Sequence, residues 1–190
     1  MRVSQREIHR TGERARIPRA FLFGLAGLAG LVILSVFVGL QLRPSVMLAK
    51  RHASLLDGIE RRSPARIQRL TADQYKDRWG FSGEDLAASM VDAGGQFLAL
   101  VVTPEDESVE IEGSRAVISA RLRLGGKPVG PIGQEVMRRI NQLEHPFVFT
   151  WERQSFLPGS WRLVKVDQAD LPDDLYGYEP GDFGRALRGE

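Results

Sequence analysis

Residues 108–126, SVEIEGSRAVISARLRLGG, carry the pattern that decides the fold. Gly113 and Ser114 stand between two apolar stretches, at a point where a chain can turn back on itself. After them every second residue is apolar, namely Ala116, Ile118, Ala120, Leu122 and Leu124. Because successive side chains of a strand point to opposite faces, this spacing predicts a strand with one buried face. The stretch therefore predicts two antiparallel strands joined by a turn at Gly113-Ser114.

Further strands are predicted on both sides of this pair. Residues 97–102, FLALVV, form a candidate buried strand, and the polar residues 104–107 after it are typical of a turn. Later in the chain, residues 146–156 and 160–168 have the composition of two more strands, with Pro and Gly between them. We expect these two segments to form a closing hairpin.

Helical signals come mainly before the strands. Apolar residues recur at helical spacing over 46–59, and Ser63-Pro64 has the form of an N-cap followed by proline at the first helical position. A third helix is predicted to begin after Ser82, whose next residues include two acids. Between the strand pairs, residues 125–131 predict a loop and residues 132–145 a short amphipathic helix. Helices followed by a run of strands favour an α+β domain.

The order of these elements resembles the nuclear transport factor 2-like superfamily, which also contains ketosteroid isomerases and SnoaL-like proteins. The similarity lies in the segment DRWGFSGEDL (residues 77–86) and in core and turn positions of the strands, namely Gly113, Ala116, Trp161, Leu163 and Val166. It implies a cone-like, cystatin-like roll, in which a curved antiparallel sheet wraps against the helices and leaves a cavity at its open end. We also expect Trp161 and Leu163 to be core residues. The resemblance implies no single activity, since its members include enzymes, binding modules and scaffolds.

Residues 20–42 hold 23 consecutive uncharged residues. As a helix rising about 1.5 Å per residue they reach roughly 35 Å, and a bilayer core is about 30 Å thick. A cleaved secretory signal and a buried soluble helix are the alternatives, but the apolar core of a signal has only about 7–15 residues. We therefore predict a transmembrane helix from Ala20 to Leu42 that contacts the lipid bilayer.

Charge indicates how this helix is oriented. Six arginines precede it, namely Arg2, Arg6, Arg10, Arg14, Arg16 and Arg19. Fewer cations follow it closely, so we expect the N-terminus in the cytoplasm and the C-terminal domain outside, at an inner or plasma membrane. Residues 1–69 contain 13 Lys and Arg against 4 Asp and Glu, whereas residues 70–190 contain 13 against 20. The acidic domain argues against nucleic-acid binding.

Few residues of the sequence indicate a catalytic or metal-binding function. The chain has no cysteine, which excludes disulfides and thiol catalysis, and its three histidines have no metal-ligand spacing. Enzymes of the resembling superfamily place an acid and a tyrosine in the cone, and the weak catalytic candidates here are Tyr75 and Asp77, with Trp79 and Asp92 nearby. The alternative interpretation makes Tyr75 and Asp77 part of a polar connector between helices. We favour the connector and expect no cofactor or metal.

The last part of the chain is acidic. Residues 167–183 contain six Asp and Glu and no Lys or Arg, interleaved with aromatic residues. We interpret this stretch as a solvated tail laid partly along the domain, with an interaction segment as the alternative. The expected organisation is a basic cytoplasmic segment at 1–19, the span at 20–42, the α+β domain at 43–168 and the acidic tail at 169–190.

The function expected from these features is a non-catalytic binding or assembly module of the cell envelope, with a protein partner or a second copy of the chain. Two alternatives stay open. One is a small-ligand binder or isomerase-like enzyme that uses the cone cavity. The other is the inner-membrane assembly subunit of type IV secretion systems, which has the same layout but shares no motif with this chain.

Overall fold

The computed structural model describes residue 35, residues 43–157, residues 159–183 and residue 185. Those from 43 onward belong to one compact unit. The predicted cytoplasmic segment and the predicted span lie outside the described residues, except for Ser35, which is helical. Within the part of the chain that is described, no helix has the length and apolar character needed to cross a membrane.

Three helices begin the domain: α1 (Pro44–Glu60), α2 (Pro64–Leu70) and α3 (Gly83–Gly95). The helices predicted at residues 46–59, after Ser63-Pro64 and after Ser82 are thus confirmed. Pro44 and Pro64 stand in the first turn of their helices, where a missing N–H group removes no hydrogen bond. Ser82 and Asp85 form a capping box at the start of α3, since each side chain accepts a hydrogen bond from the other residue's backbone N–H.

The rest of the domain is a curved, four-stranded antiparallel sheet with one more α-helix, followed by a short 3-10 helix at Leu175–Gly177. Its strands are β1 (Phe97–Glu112), β2 (Arg115–Pro128), β3 (Phe147–Arg153) and β4 (Trp161–Gln168), and they lie side by side in that order. Helix α4 (Gly130–Gln142) connects β2 to β3. The fold class is α+β, as the order of helical and strand signals predicted.

Two predicted interruptions are wrong. Residues 104–107 do not form a turn, because β1 continues through them with a bulge between Glu105 and Ser108, where Asp106 adopts φ 52°. A bulge absorbs extra residues without ending a strand. Pro104 lacks an N–H group and is tolerated because β1 is an edge strand. The loop predicted at 125–131 is also wrong except at Val129, since β2 extends to Pro128 and α4 begins at Gly130.

The interior is formed by aromatic and aliphatic residues of the sheet and the first helices. The largest side chains that are fully buried include Trp151, Trp161, Phe149, Ile118, Leu163, Leu48 and Leu55. Trp161 and Leu163 are core residues, as predicted. The buried strand predicted at 97–102 is only half right: Phe97, Leu100 and Val102 are buried, whereas Leu98 is 65% exposed and Val101 is 50% exposed.

Candidate functional site

Tyr75 and Asp77, the two weak catalytic candidates, lie together in the segment that joins α2 to α3. Tyr75 is 4% exposed and Asp77 is 6% exposed. The Tyr75 hydroxyl donates a hydrogen bond to Asp77 Oδ2 over 3.0 Å. The two side chains therefore face each other inside the domain.

The second oxygen of the Asp77 carboxylate is occupied as well. Oδ1 accepts the backbone N–H groups of Trp79 at 3.0 Å and of Phe81 at 2.9 Å. The Trp79 indole N–H in turn donates to the carbonyl of Pro172 over 3.0 Å. Because both carboxylate oxygens bind groups of the same segment, Asp77 holds the connector in its turn and fixes Trp79 against the chain that follows β4.

Burial controls the protonation of this pair. It raises the pKa of the Tyr75 hydroxyl, and the neighbouring Asp77 charge raises it further. Burial also raises the pKa of Asp77, while hydrogen bonds from Phe81, Tyr75 and Trp79 act in the opposite direction. The Tyr75 hydroxyl donates to Asp77 and stays protonated, so it is not free to donate to a developing oxyanion in this arrangement.

The other polar candidates lie elsewhere. Asp92 on α3 accepts hydrogen bonds from the Tyr178 hydroxyl at 3.0 Å and from the Phe183 backbone at 2.9 Å, which fixes the C-terminal segment to that helix. His52 is buried beside the Phe149 ring, whereas His145 is exposed and contacts Asp170 at 2.5 Å. Across the described residues, no three His, Asp or Glu side chains are grouped in a way that could hold a metal ion.

Sequence reasoning missed a basic cleft. Four arginines from three elements line a cleft of about 690 Å³: Arg51 of α1, Arg66 and Arg69 of α2, and Arg162 of β4. The cleft is also lined by Ser54, Gln68, Leu70, Thr71 and Asp73. We call these nine residues the arginine cleft. The density of arginines between positions 51 and 69 was a signal for it, but only the fold brings Arg162 to the same place.

The guanidinium groups of the arginine cleft differ in their partners. Arg66 forms an ion pair with Asp57 of α1. Arg51 donates to the carbonyl of Gly159 over 2.6 Å, and Arg162 donates to its neighbouring carbonyl at Trp161 over 3.1 Å. Burial lowers the pKa of Arg51, and the positive charge of Arg162 lowers it further. Two cations therefore lie close enough to repel each other.

The exposed apolar residues form a second feature. On β1, Leu98 and Val101 are exposed near the start of the strand, and Val109 and Ile111 are exposed near its end. Val101 points away from the core, since its neighbours Leu100 and Val102 are both buried. We call Leu98 and Val101 the β1 apolar pair.

Comparisons with known proteins find solved structures that are similar to this chain in fold. No family model and no curated protein matches the chain. Among solved structures, it is similar to a nuclear transport factor 2-like protein from Cytophaga hutchinsonii, with a TM-score of 0.43 and 17% identity over 64% of this chain and 95% of that one. A hexachlorocyclohexane dehydrochlorinase from Novosphingobium barchaimii has a TM-score of 0.49 and 13% identity over 66% of this chain and 84% of that one.

A third similar structure is Bd1075 of Bdellovibrio bacteriovorus, with a TM-score of 0.48 and 8% identity. The match covers 64% of this chain but only 40% of that larger chain. At identities this low, no activity is carried over from any of these proteins to this chain.

Proposed function

We propose that the chain is a single-pass, membrane-anchored and non-catalytic binding or assembly module of the cell envelope. Its N-terminus is cytoplasmic, residues 20–42 span the bilayer, and the α+β domain works outside the cytoplasm. The length of the uncharged stretch and the arginines before it support this topology.

The observation that carries the non-catalytic part is how the candidate catalytic groups are used. Both carboxylate oxygens of Asp77 already accept hydrogen bonds, from Tyr75, Trp79 and Phe81. A general base has to reach a proton of its substrate, and a buried carboxylate engaged on both oxygens is poorly placed for that task. Large aromatic side chains such as Trp151 and Trp161 fill the interior of the domain.

The β1 apolar pair supports a role in binding another protein. Leu98 and Val101 are large apolar side chains that the domain itself leaves in contact with solvent. Such side chains can contribute apolar contact area to an interaction surface. In the proposed function, this part of β1 contacts a protein partner or a second copy of the chain.

The free backbone edge of β1 is less suited to that contact. The Glu60 side chain accepts the Val102 N–H over 2.8 Å, and Arg62 donates to the Leu98 carbonyl over 3.2 Å. Pro104 has no N–H group to offer. Such groups block the pairing of another strand at a sheet edge. The partner therefore meets side chains of β1 and does not extend the sheet along this half of the strand.

Membrane fractionation tests the anchor. A reporter enzyme that is active only outside the cytoplasm, fused after Glu190, is expected to give activity. The intact protein should stay with membranes during an alkaline carbonate wash. Release by carbonate, or an inactive fusion that is nevertheless made at full length, would contradict the proposed topology.

Cross-linking tests the binding surface, because the chain contains no cysteine. Val101→Cys introduces one thiol at the β1 apolar pair, and Ser114→Cys is the matched control at an exposed polar site in the turn between β1 and β2. In membranes, a thiol-reactive cross-linker should give a discrete product with Val101→Cys and none with Ser114→Cys. A product of twice the chain mass identifies a second copy. Equal or absent products for both variants would contradict the assignment of this surface.

A further inference from the structure

The arginine cleft brings together like charges that a domain has no structural need to collect. Arg51, Arg69 and Arg162 come from three different elements, and no carboxylate among the described residues lies within salt-bridge distance of any of them. Of the nine lining residues only Asp73 is acidic. The cleft therefore has an excess of positive charge at close range.

The arginines of this cleft have more N–H donors than the hydrogen bonds they form within the domain. An arginine carries five N–H donors in a planar fork. The Arg51 guanidinium donates one hydrogen bond to the backbone carbonyl of Gly159, and the Arg162 guanidinium donates one to that of Trp161. Ser54 adds a hydroxyl to the lining. Most of the donor capacity at this place is left for another acceptor.

From this geometry we propose that the arginine cleft binds a phosphate group of a small molecule or of a lipid headgroup. Forked guanidinium groups match the tetrahedral oxygens of phosphate through paired, charge-assisted hydrogen bonds. A bound dianion relieves the repulsion between Arg51 and Arg162. A volume of about 690 Å³ leaves room for an organic group attached to the phosphate.

Arg66 has a positioning role in this site. It is paired with Asp57, which also pairs with Arg61 over 2.6 Å, so part of its hydrogen-bonding capacity is used within the domain. Arg69 lies three residues later on the same helix, on a neighbouring position of its surface. The pair with Asp57 holds α2 against α1, and Arg69, Arg51 and Arg162 are the groups that face the phosphate oxygens.

This inference goes beyond the proposed function, because the cleft belongs to the folded domain whether or not residues 20–42 anchor it. Its source of phosphate can be soluble or membrane-bound. Arg51 lies seven residues after Pro44, which is about 10 Å along a helix that begins just after the predicted span. A phospholipid headgroup is therefore one of the two sources, and the experiment separates them.

The test uses the full-length protein in a neutral detergent. Inorganic pyrophosphate is titrated and binding is followed by calorimetry and by the shift in melting temperature. We expect saturable binding that weakens as sodium chloride is raised. Arg69→Gln and Arg162→Gln should each weaken binding by about tenfold or more, because each removes a charge-assisted contact. Arg115→Gln, which removes an exposed arginine of β2 outside the cleft, should leave binding unchanged.

A second arm places the protein in nanodiscs of phosphatidylcholine, with or without phosphatidylglycerol. A headgroup ligand predicts that phosphatidylglycerol competes with pyrophosphate in the wild type, and that stabilisation by this lipid is lost in Arg69→Gln. A soluble ligand predicts pyrophosphate binding without competition. Either result supports the site. The proposal is overturned if neither probe gives an effect that Arg69→Gln and Arg162→Gln remove, or if Arg115→Gln removes it equally.

Discussion

The Tyr75 hydroxyl donates to Asp77 Oδ2 over 3.0 Å inside the segment that joins α2 to α3. The two residues are separated by one position, so an extended backbone places their side chains on the same side. A sequence that pairs a tyrosine with an acid in this way can serve catalysis or hold a turn. The backbone N–H groups of Trp79 and Phe81 also donate to Asp77. Asp77 therefore stabilises the turn of this segment.

Substitution of Asp77 distinguishes these two roles. Asp77→Asn keeps the shape, but its amide nitrogen cannot accept the Tyr75 hydroxyl and its neutral oxygen accepts the Trp79 and Phe81 N–H groups more weakly. We expect the free energy of unfolding to fall by about 1–3 kcal/mol. Tyr75→Phe leaves Oδ2 without its partner and should cost about 1 kcal/mol. In a double-mutant cycle measured by urea unfolding, the two changes should be strongly non-additive. Unchanged stability of Asp77→Asn, together with loss of a biological function, would restore the enzyme interpretation.

Features that depend on neighbouring residues could be predicted from the sequence, whereas features that depend on contacts between distant residues could not. The helices at Pro44, Pro64 and Ser82 are encoded by local residues, so their starts were readable in advance. The bulge at Asp106 was not, because a polar run can be a turn or an edge strand, and only pairing with β2 decides between them. The arginine cleft depends on Arg162 reaching α1 and α2 across the fold, and no local pattern contains that contact.

Acid should destabilise the domain through His52. Burial lowers the pKa of this imidazole to about 4, although Glu107 lies 3.9 Å away and favours the charged form. The unfolded chain takes up the proton near pH 6.5, and the folded chain does so only near pH 4. Stability is thus fully present above pH 6.5 and is lost as the pH falls towards 4, by on the order of 3 kcal/mol.

The measurement for His52 is urea unfolding between pH 4 and pH 7, the window set by its folded and unfolded pKa values. His52→Leu removes the titrating group and should flatten most of this dependence. If His52→Leu retains the full slope, another group is responsible.

Truncation of Trp161 tests the closing strand. Its side chain is fully buried in the core, so Trp161→Ala should lower the free energy of unfolding by about 3–5 kcal/mol. Phe156→Ala removes a comparable aromatic group from the turn between β3 and β4, where it is exposed, and should change stability by less than about 0.5 kcal/mol. Thermal unfolding of the two variants side by side gives the comparison, and similar melting temperatures would contradict the core assignment.

Gly126 explains why β2 could continue where a loop was predicted. Its φ of 111° is open to glycine but strained for other residues, and a Cβ atom there would lie 2.1 Å from the Ala99 carbonyl oxygen. Gly126→Ala should therefore force β1 and β2 apart at this end and destabilise the domain by about 2 kcal/mol or more.

Gly95→Ala is the matched control, because no heavy atom lies within 4 Å of its Cβ position and its φ is ordinary. We expect Gly95→Ala to be neutral or slightly stabilising in urea unfolding. Equal effects of the two substitutions would mean that the close approach of Ala99 is not what requires glycine at position 126.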